Sequence, residues 1–262
     1  MTQFPAPHPT RRHFLTTASG ALLAAVACRR STSAQSAISS RARLSARPGA
    51  DVTGAALTSG PLGLGTGGRD GVIQMPTTRR EAAAPLLLWL HGAGQSGEGS
   101  LRRIGPAADT AGVVVVAPDS RGISWDAIRG DFGDDVAFLN RVLSHVFARV
   151  QVDPARITVG GFSDGATYAL SIGLANGDLF PQVIGCSPGF IAQAPQQGRP
   201  RVFISHGRSD EVLPIDRCSR VIVPRLQSLQ VPPKVDVLFR QHTQPLRCHQ
   251  REPHHHVSGR EL

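Results

Sequence analysis

The sequence predicts an α/β domain whose sheet is doubly wound and mostly parallel. Short apolar runs recur from about residue 71 onward, and each is largely continuous, as strands buried on both faces require. These runs are PLLLWL (85–90), GVVVVAP (112–118), RITVGGF (156–162), QVIGCSP (182–188), RVFISHG (201–207) and KVDVLFRQ (234–241). Helical patterns lie between them, and this alternation indicates right-handed crossovers between parallel strands. In such a sheet the functional residues collect at the carboxyl ends of the strands.

Two of the intervening segments have a clear helical pattern. From Asp134 to Val150, apolar residues recur at spacings of three and four, which places one apolar stripe against the sheet. A second helix is predicted over residues 164–175. It ends at Asn176-Gly177, where glycine suits the left-handed residue that follows a helix.

The length and charge of the chain narrow the classes of function. A chain of 262 residues fits one catalytic domain with appendages. Its formal charge is +9, but residues 1–50 contain seven arginines and no acidic residue, so the remainder is near neutral, with 21 basic and 19 acidic residues. Because the excess charge is confined to the N-terminal segment, the composition does not support nucleic-acid binding.

The N-terminus has the plan of an export signal. Two arginines in TRRHFL (10–15) precede the apolar run ALLAAVA (21–27), which is too short to span a bilayer. The pattern resembles signals of the twin-arginine type, which implies a periplasmic or extracellular location. Ala25 and Ala27 fit a cleavage site, whereas Cys28 is a candidate for a lipid anchor. Plain cleavage is favoured, because Ala25 stands where lipoprotein signals usually have leucine.

These observations predict four segments. Residues 1–30 form the export signal, and residues 31–70, rich in Ser, Ala, Gly and Arg, form a flexible linker. Residues 71–241 form the α/β domain, and residues 242–262 form an irregular, histidine-rich tail.

Neither a metal nor a cofactor is expected. The four cysteines show no C-x-x-C spacing, and without Cys28 an oxidising compartment would permit one disulfide and one free thiol. The glycine-rich stretch GTGGRDG (65–71) lacks both the preceding strand and the following Gly-Lys-Ser/Thr of a phosphate loop.

The pattern G-x-S-x-G at residues 161–165 lies between a predicted strand and a predicted helix. A strand that turns directly into a helix brings the backbone at both glycines too close for a side chain, and it strains the serine. The turn exposes Ser163 Oγ near a helix N-terminus, which favours developing negative charge. The alternative is that Ser163 caps the helix; the strand before it and the helix after it favour a nucleophile.

A serine nucleophile needs a base, a carboxylate that orients the base, and donors for an oxyanion. The predicted oxyanion donors are the backbone amides of Ala93, in the loop after the first buried strand, and of Asp164. The predicted carboxylate is Asp210, on the loop after residues 201–207, with a loop-to-helix cap as its alternative role. His91 precedes the serine in chain order and is predicted to brace its own loop.

Several ordered motifs together resemble one family of enzymes. They are LHG (90–92), PDSRG (118–122), GFSDG (161–165), NGDLF (176–180), CSPGF (186–190) and HGRSDEVLP (206–214). Over about residues 70–240 the chain is similar to the α/β-hydrolase esterases grouped with polyhydroxybutyrate depolymerases, feruloyl esterases and predicted phospholipase/carboxylesterases. This resemblance implies ester hydrolysis without a cofactor, with Ser163 as nucleophile and Asp210 as the acid of the triad.

The C-terminus departs from that family. There the catalytic histidine follows the last strand in a Gly-Pro-His or Gly-Gly-His turn, and a closing helix completes the domain. Here the tail after Gln241 holds five of the ten histidines, with no glycine before any of them and no helical stripe. His242, His249 and the run 254–256 compete as base; His249 is favoured because it follows a proline-containing turn. Each could also be a solvated tail residue, and a shifted reading frame after Gln241 would leave the fold without its base.

The sequence therefore predicts an exported serine hydrolase that cleaves carboxylic esters through an acyl-enzyme. Short-chain, hydroxyalkanoate and aromatic esters all remain open as substrates. Trp125 and Phe190 are candidates to line an acyl pocket, with ordinary core packing as their alternative. The rival functions are a thioesterase or peptidase on the same fold and a non-catalytic binding protein, which the unusual C-terminus favours.

Overall fold

The computed structural model of the protein describes residues 41–65, 68–78 and 83–231, together with the backbone of a strand at 236–240. These residues form an eight-stranded sheet with helices on both faces. The strands are β1 (Gly60–Pro61), β2 (Gly71–Gln74), β3 (Ala84–Leu90), β4 (Val114–Pro118), β5 (Val152–Phe162), β6 (Gln182–Cys186), β7 (Arg201–Gly207) and β8 (Asp236–Arg240). The helices are α1 (Gly97–Thr110), α2 (Asp126–Arg129), α3 (Asp134–Phe147), α4 (Asp164–Ala175) and α5 (Ser219–Ser228).

The strand order across the sheet is β1-β2-β4-β3-β5-β6-β7-β8. Strands β1 and β2 pair antiparallel, and β2 also runs antiparallel to β4; every other pair is parallel. The predicted doubly wound, mostly parallel sheet is confirmed. The predicted helix over 164–175 is α4, and the stripe that begins at Asp134 is α3.

The alternation of side chains along the central strands builds a core on each face of the sheet. On β3, Leu86 and Leu88 point into the larger core together with α3 and α4, while Trp89 packs with Ala108 of α1 and Val115 of β4 in a smaller core. Because both faces are covered, the central strands are apolar along their whole length, and this explains the continuous runs in the sequence.

Residues 41–47 correct the prediction of a flexible linker over 31–70. Ala42 and Leu44 are fully buried in the larger core. The buried side chain of Asn176, just after α4, accepts a hydrogen bond from the Leu44 amide and donates one to the carbonyl of Ala42, both at 2.8 Å. This part of the chain is therefore packed on the domain, at the end of α4 opposite its N-terminus.

The remaining predictions about the N-terminal part of the chain stay predictions. The export signal at 1–30 and the first part of the linker, residues 31–40, lie outside the described residues. Among the residues that the structure describes, no helix is both long and apolar enough to cross a bilayer.

The packed N-terminal segment is also held by charge. Arg43 donates two hydrogen bonds to the carboxylate of Asp178, at 2.7 and 2.8 Å, and Arg47 donates a third at 2.6 Å. The hydrogen bonds from the Arg43 guanidinium are the main reason that the pKa of Asp178 lies well below its usual range. Ionised Asp178 thus favours the folded state, in which its partners are in place.

We expect Asp178→Asn to lower the free energy of unfolding by about 0.5–1 kcal/mol at pH 7, because the pair is partly exposed to solvent. A depressed folded pKa stabilises the protein above the unfolded value near 4 and loses that effect as pH falls through the folded value. The difference between wild type and variant in urea unfolding should therefore shrink as pH falls below about 4. A difference independent of pH would contradict this account.

Candidate active site

Ser163 lies at the sharp junction between β5, which ends at Phe162, and α4, which begins at Asp164. Its backbone has φ 56° and ψ −120°, a conformation that residues with a side chain rarely adopt. Its side chain makes no capping hydrogen bond to α4. The alternative role as a helix cap therefore has no support in the geometry, and the strain predicted for this turn is present.

The two glycines of the motif are required by close contacts between backbones. A Cβ at Gly161 would lie 2.4 Å from the carbonyl group of Gly165. A Cβ at Gly165 would lie 2.1 Å from the carbonyl oxygen of Leu90 and 2.5 Å from that of His91. Both distances are far below van der Waals contact, so the end of β3 and the first turn of α4 pack this closely only because the glycines have no side chain.

The loop after β3 passes directly beside the serine. A Cβ at Gly92 would lie 3.4 Å from Ser163 Cβ, and the next residue, Ala93, is exposed to solvent. Asp164 is the first residue of α4, so its amide has no helix carbonyl one turn earlier to bind. Asp164 thus directly follows Ser163, and Ala93 follows the glycine that lies beside it. The role of both residues as oxyanion donors stays a prediction.

His91 is a structural residue, as its position in the chain predicts. It is fully buried, and its Nε2 accepts a hydrogen bond from the Ser120 amide at 2.9 Å. The proton is therefore on Nδ1, which donates to the carbonyl of Gly92 at 2.7 Å. Burial lowers the pKa of the imidazole. A neutral ring with both nitrogens bound braces the loop and has no position left for a proton from Ser163.

Asp210 lies on the loop after β7, held by the backbone. Its Oδ1 accepts hydrogen bonds from the amides of Val212 and Leu213, at 3.1 and 2.9 Å. Its Oδ2 lies 3.6 Å from Nε2 of the buried His206. These contacts match the cap alternative, and they also fix the direction of the second carboxylate oxygen, as an orienting carboxylate requires. The triad role of Asp210 stays a prediction.

His206 is excluded as the base by its own contacts. Its Nε2 donates to the carbonyl of Leu213 at 2.7 Å, so its Nδ1 accepts from Ser219 Oγ, also at 2.7 Å. The ring is buried and lies under the Asp210 loop. His206 therefore supports this loop, and sequence reasoning assigned it no role.

A chain of contacts links the Asp210 loop to the serine. Thr167, one turn along α4, donates from Oγ1 to the carbonyl of Ser163 at 3.2 Å and accepts from the Gly189 amide at 2.8 Å. A Cβ at Gly189 would lie 3.5 Å from Leu213, which itself binds Asp210. The loops after β5, β6 and β7 thus meet at one edge of the sheet.

The predicted base lies outside the described residues. His249 and its competitors His242 and 254–256 all follow β8. β8 pairs in parallel with β7, and Arg240, its last residue, lies opposite Gly207. The chain therefore leaves β8 at the same edge where β5 and β7 end, and the choice among these histidines stays a prediction.

The two aromatic candidates for an acyl pocket differ in their surroundings. Trp125 is 1% exposed and stacks on Tyr168 with ring centroids 5.2 Å apart, so it is a core residue. Phe190 is 42% exposed, on the loop after β6. Ile123 and Val212, on the loops after β4 and β7, are 60% and 85% exposed. We call Ile123, Phe190 and Val212 the apolar rim. Sequence reasoning missed two of its members, although apolar residues in polar loops at strand ends were a usable signal.

The structure bears only in part on the metal and cysteine predictions. In the part of the chain that the structure describes, no cluster of His, Cys, Asp and Glu side chains has an arrangement that could hold a metal ion. Cys186 and Cys218 are both free thiols. Cys28 and Cys248 lie outside the described residues, so the single disulfide that an oxidising compartment would permit stays a prediction.

Comparison with known proteins adds two kinds of similarity. No model of a known protein family matches the chain. It is 32% identical over 147 residues to the putative esterase NocK of Nocardia uniformis subsp. tsuyamanensis, in a match that covers 52% of this chain and 42% of that protein. It is 30% identical over 104 residues to the probable feruloyl esterase C of Aspergillus oryzae, covering 39% and 37%. The chain thus spans less than half the length of these curated relatives.

The fold itself is shared with solved structures. The crystal structure of esterase PE8 superposes with a TM-score of 0.52 and 22% sequence identity, covering 65% of this chain and 87% of that one. At this level of identity the similarity establishes the fold alone. Together with the strand order, it shows that the chain has the α/β-hydrolase fold.

Proposed function

We propose that the protein is a serine hydrolase that cleaves carboxylic esters. The observation that carries the proposal is the strained conformation of Ser163, at φ 56°, between a strand and a helix that only glycines allow to pack so closely. Strain of this kind costs on the order of 1–3 kcal/mol, and it persists where it serves a site. The names of both curated relatives, a putative esterase and a probable feruloyl esterase, support the same class of reaction.

The proposed mechanism uses the elements that meet at this edge of the sheet. Ser163 Oγ attacks the ester carbonyl while a histidine accepts its proton, and the amides of Ala93 and Asp164 donate to the oxyanion. The histidine then protonates the departing alcohol, which leaves an acyl-enzyme. Water, activated by the same histidine, releases the acid and restores the serine. Asp210 orients the imidazole and stabilises its charged form.

The base is proposed to be His249 in the C-terminal tail. Of the three histidines in the described residues, His91 and His206 are buried with both nitrogens bound. The third, His145, lies in the last turn of α3, at the far end of that helix from the loops around Ser163. These contacts remove the competitors within the described domain and support a base that follows β8.

The apolar rim favours substrates that are esters with a bulky apolar part, such as hydroxyalkanoate oligomers or aromatic esters. Its three side chains project from loops after β4, β6 and β7 and are all largely exposed. Exposed apolar groups on loops around a site gain free energy when an apolar ligand covers them. A small acetyl group would cover little of this surface, so we expect longer or aromatic acyl groups to be preferred.

Export belongs to the same proposal. A twin-arginine signal at residues 1–30 would carry the folded domain to the periplasm or beyond, and Cys28 remains a candidate for a lipid anchor. Residues 41–47 dock at the far end of α4 from Ser163, so the described chain begins away from the proposed site.

The test is labelling and turnover by the full chain. A fluorophosphonate probe should modify Ser163, located by peptide mass mapping, and p-nitrophenyl butyrate should be hydrolysed faster than p-nitrophenyl acetate. Thioester and peptide substrates assayed in parallel address the rival hydrolases. The absence of both labelling and turnover would contradict the esterase proposal and favour a non-catalytic binding protein.

Single substitutions in the tail test the base. His249→Ala should lower turnover by roughly 10³-fold or more, whereas His242→Ala, the matched control, should leave it largely unchanged. The opposite result would assign the base to His242. Equal turnover in both variants would direct attention to residues 254–256.

A further inference from the structure

The loop after β4 contacts the loop after β3, which carries Ala93, and the start of α4, which carries Asp164. These are the two proposed oxyanion donors. The carbonyl of Ile123 accepts a hydrogen bond from the Gly94 amide at 2.7 Å. Nε1 of Trp125 donates to the carbonyl of His91 at 2.8 Å. Two residues of this short segment thus bind the loop on either side of Ala93, so they fix its path beside the serine.

Ser124, between Ile123 and Trp125, binds the first residue of α4. Ser124 is 8% exposed, and its Oγ donates a hydrogen bond to Oδ2 of Asp164 at 2.5 Å. A carboxylate only accepts hydrogen bonds, so the hydroxyl proton lies on Ser124. Hydrogen bonds to an ionised acceptor are among the stronger ones in proteins. The residue that follows the proposed nucleophile is therefore tied to the same segment.

The segment itself is held at both ends by one buried side chain. Asp135, at the start of α3, accepts a hydrogen bond from the Arg121 amide through Oδ1 at 2.6 Å, and from the Asp126 amide through Oδ2 at 2.7 Å. Asp135 is 1% exposed. A carboxylate that closes both ends of a six-residue segment limits how far its middle can move. Ser124 is thus presented from a rigid support.

We propose that Ser124 is a positioning residue that fixes Asp164, and with it the oxyanion site, relative to Ser163. The inference rests on the proposed function. Oxyanion stabilisation requires two amides at hydrogen-bond distance from one developing charge, so small displacements of either amide weaken it. The segment 123–125 links the two donors through three hydrogen bonds and sets their separation.

The hydrogen bond from Ser124 also fixes the position of the negative charge on the Asp164 carboxylate. The carboxylate of Asp164 belongs to the residue whose amide is proposed to stabilise an anion, and two negative charges in proximity repel. The Ser124 hydroxyl holds this carboxylate and stabilises its charge where it lies. Without that hydroxyl, the carboxylate would reorient, and the penalty would fall on the transition state, where the oxyanion carries charge, more than on the bound substrate.

The test compares three variants of the full chain by steady-state kinetics on p-nitrophenyl butyrate. Ser124→Ala should lower kcat by about 10- to 100-fold with KM changed less than about 3-fold. Ser124→Thr, which keeps the hydroxyl, should recover most of that loss. Ser120→Ala is the matched control, because Ser120 is a buried serine of the same loop whose hydroxyl donates to the carbonyl of Gly122 and not to Asp164. The substitution keeps the backbone amide that binds His91. Equal effects of Ser124→Ala and Ser120→Ala, or an unchanged kcat, would overturn the proposal.

A second measurement does not depend on turnover. Amide hydrogen exchange in the peptide that contains Asp164 should become at least about 10-fold faster in Ser124→Ala and should return toward wild type in Ser124→Thr. If the wild type lacks esterase activity, the proposed function fails while this measurement still tests the positioning role. Unchanged exchange at Asp164 would overturn it.

Discussion

Replacing Ser163 by glycine is expected to abolish ester hydrolysis and, at the same time, to stabilise the protein. Turnover should fall by roughly 10³- to 10⁶-fold, as when other serine nucleophiles are removed. The serine holds φ 56° and ψ −120°, which costs on the order of 1–3 kcal/mol for a residue with a side chain. Glycine adopts this conformation freely, although its flexible unfolded state offsets part of the gain.

Ser163→Ala separates the two effects. Alanine removes the hydroxyl but keeps a Cβ in the strained conformation, so it should lose activity to the same extent without the stabilisation. We expect the glycine variant to exceed the alanine variant by about 1 kcal/mol in the free energy of unfolding, measured with urea. Equal stabilities would show that the turn stores no strain, and retained turnover in both variants would remove Ser163 from the mechanism.

Gly165→Ala should have the largest effect on folding. The added Cβ would lie 2.1 Å from the carbonyl oxygen of Leu90, more than 1 Å closer than an ordinary van der Waals contact. β3 and α4 would therefore have to move apart by about that distance. Backbone atoms cannot yield as a flexible side chain does, and both elements are anchored in the core. We expect a loss of more than about 4 kcal/mol, or no soluble protein.

Gly189→Ala is the matched control for this substitution. It lies at the same edge of the sheet, but its Cβ would make ordinary contacts of 3.4 Å with Thr167 and 3.5 Å with Leu213. Soluble yield and urea unfolding should therefore place Gly189→Ala close to wild type and Gly165→Ala far below it. Similar stability in the two variants would contradict the close-packing account of the motif.

The sequence by itself determined the six parallel strands of the sheet and the turn that holds the serine, but not the two antiparallel strands β1 and β2. Each buried strand is a continuous apolar run because both of its faces are covered, and α3 has a stripe because only one of its faces is covered. The junction at Ser163 could also be predicted from the sequence. The close backbone contacts that require Gly161 and Gly165 arise in a strand-turn-helix pattern that the sequence shows. Such features depend on local geometry, so local composition reveals them.

Only the tertiary structure decided the contacts between distant segments. Residues 41–47 have a linker-like composition, yet they are packed by Asn176, which lies more than 130 positions away. The sequence predicted a role for Asp210 but not its contacts, and nothing in it singled out Ser124. The surroundings of both residues arise because strand ends converge at one edge of the sheet. Convergence of this kind depends on strand order and loop path, which no local pattern encodes. One short motif thus predicted the nucleophile, whereas the packing of the whole domain determined the contacts that support it.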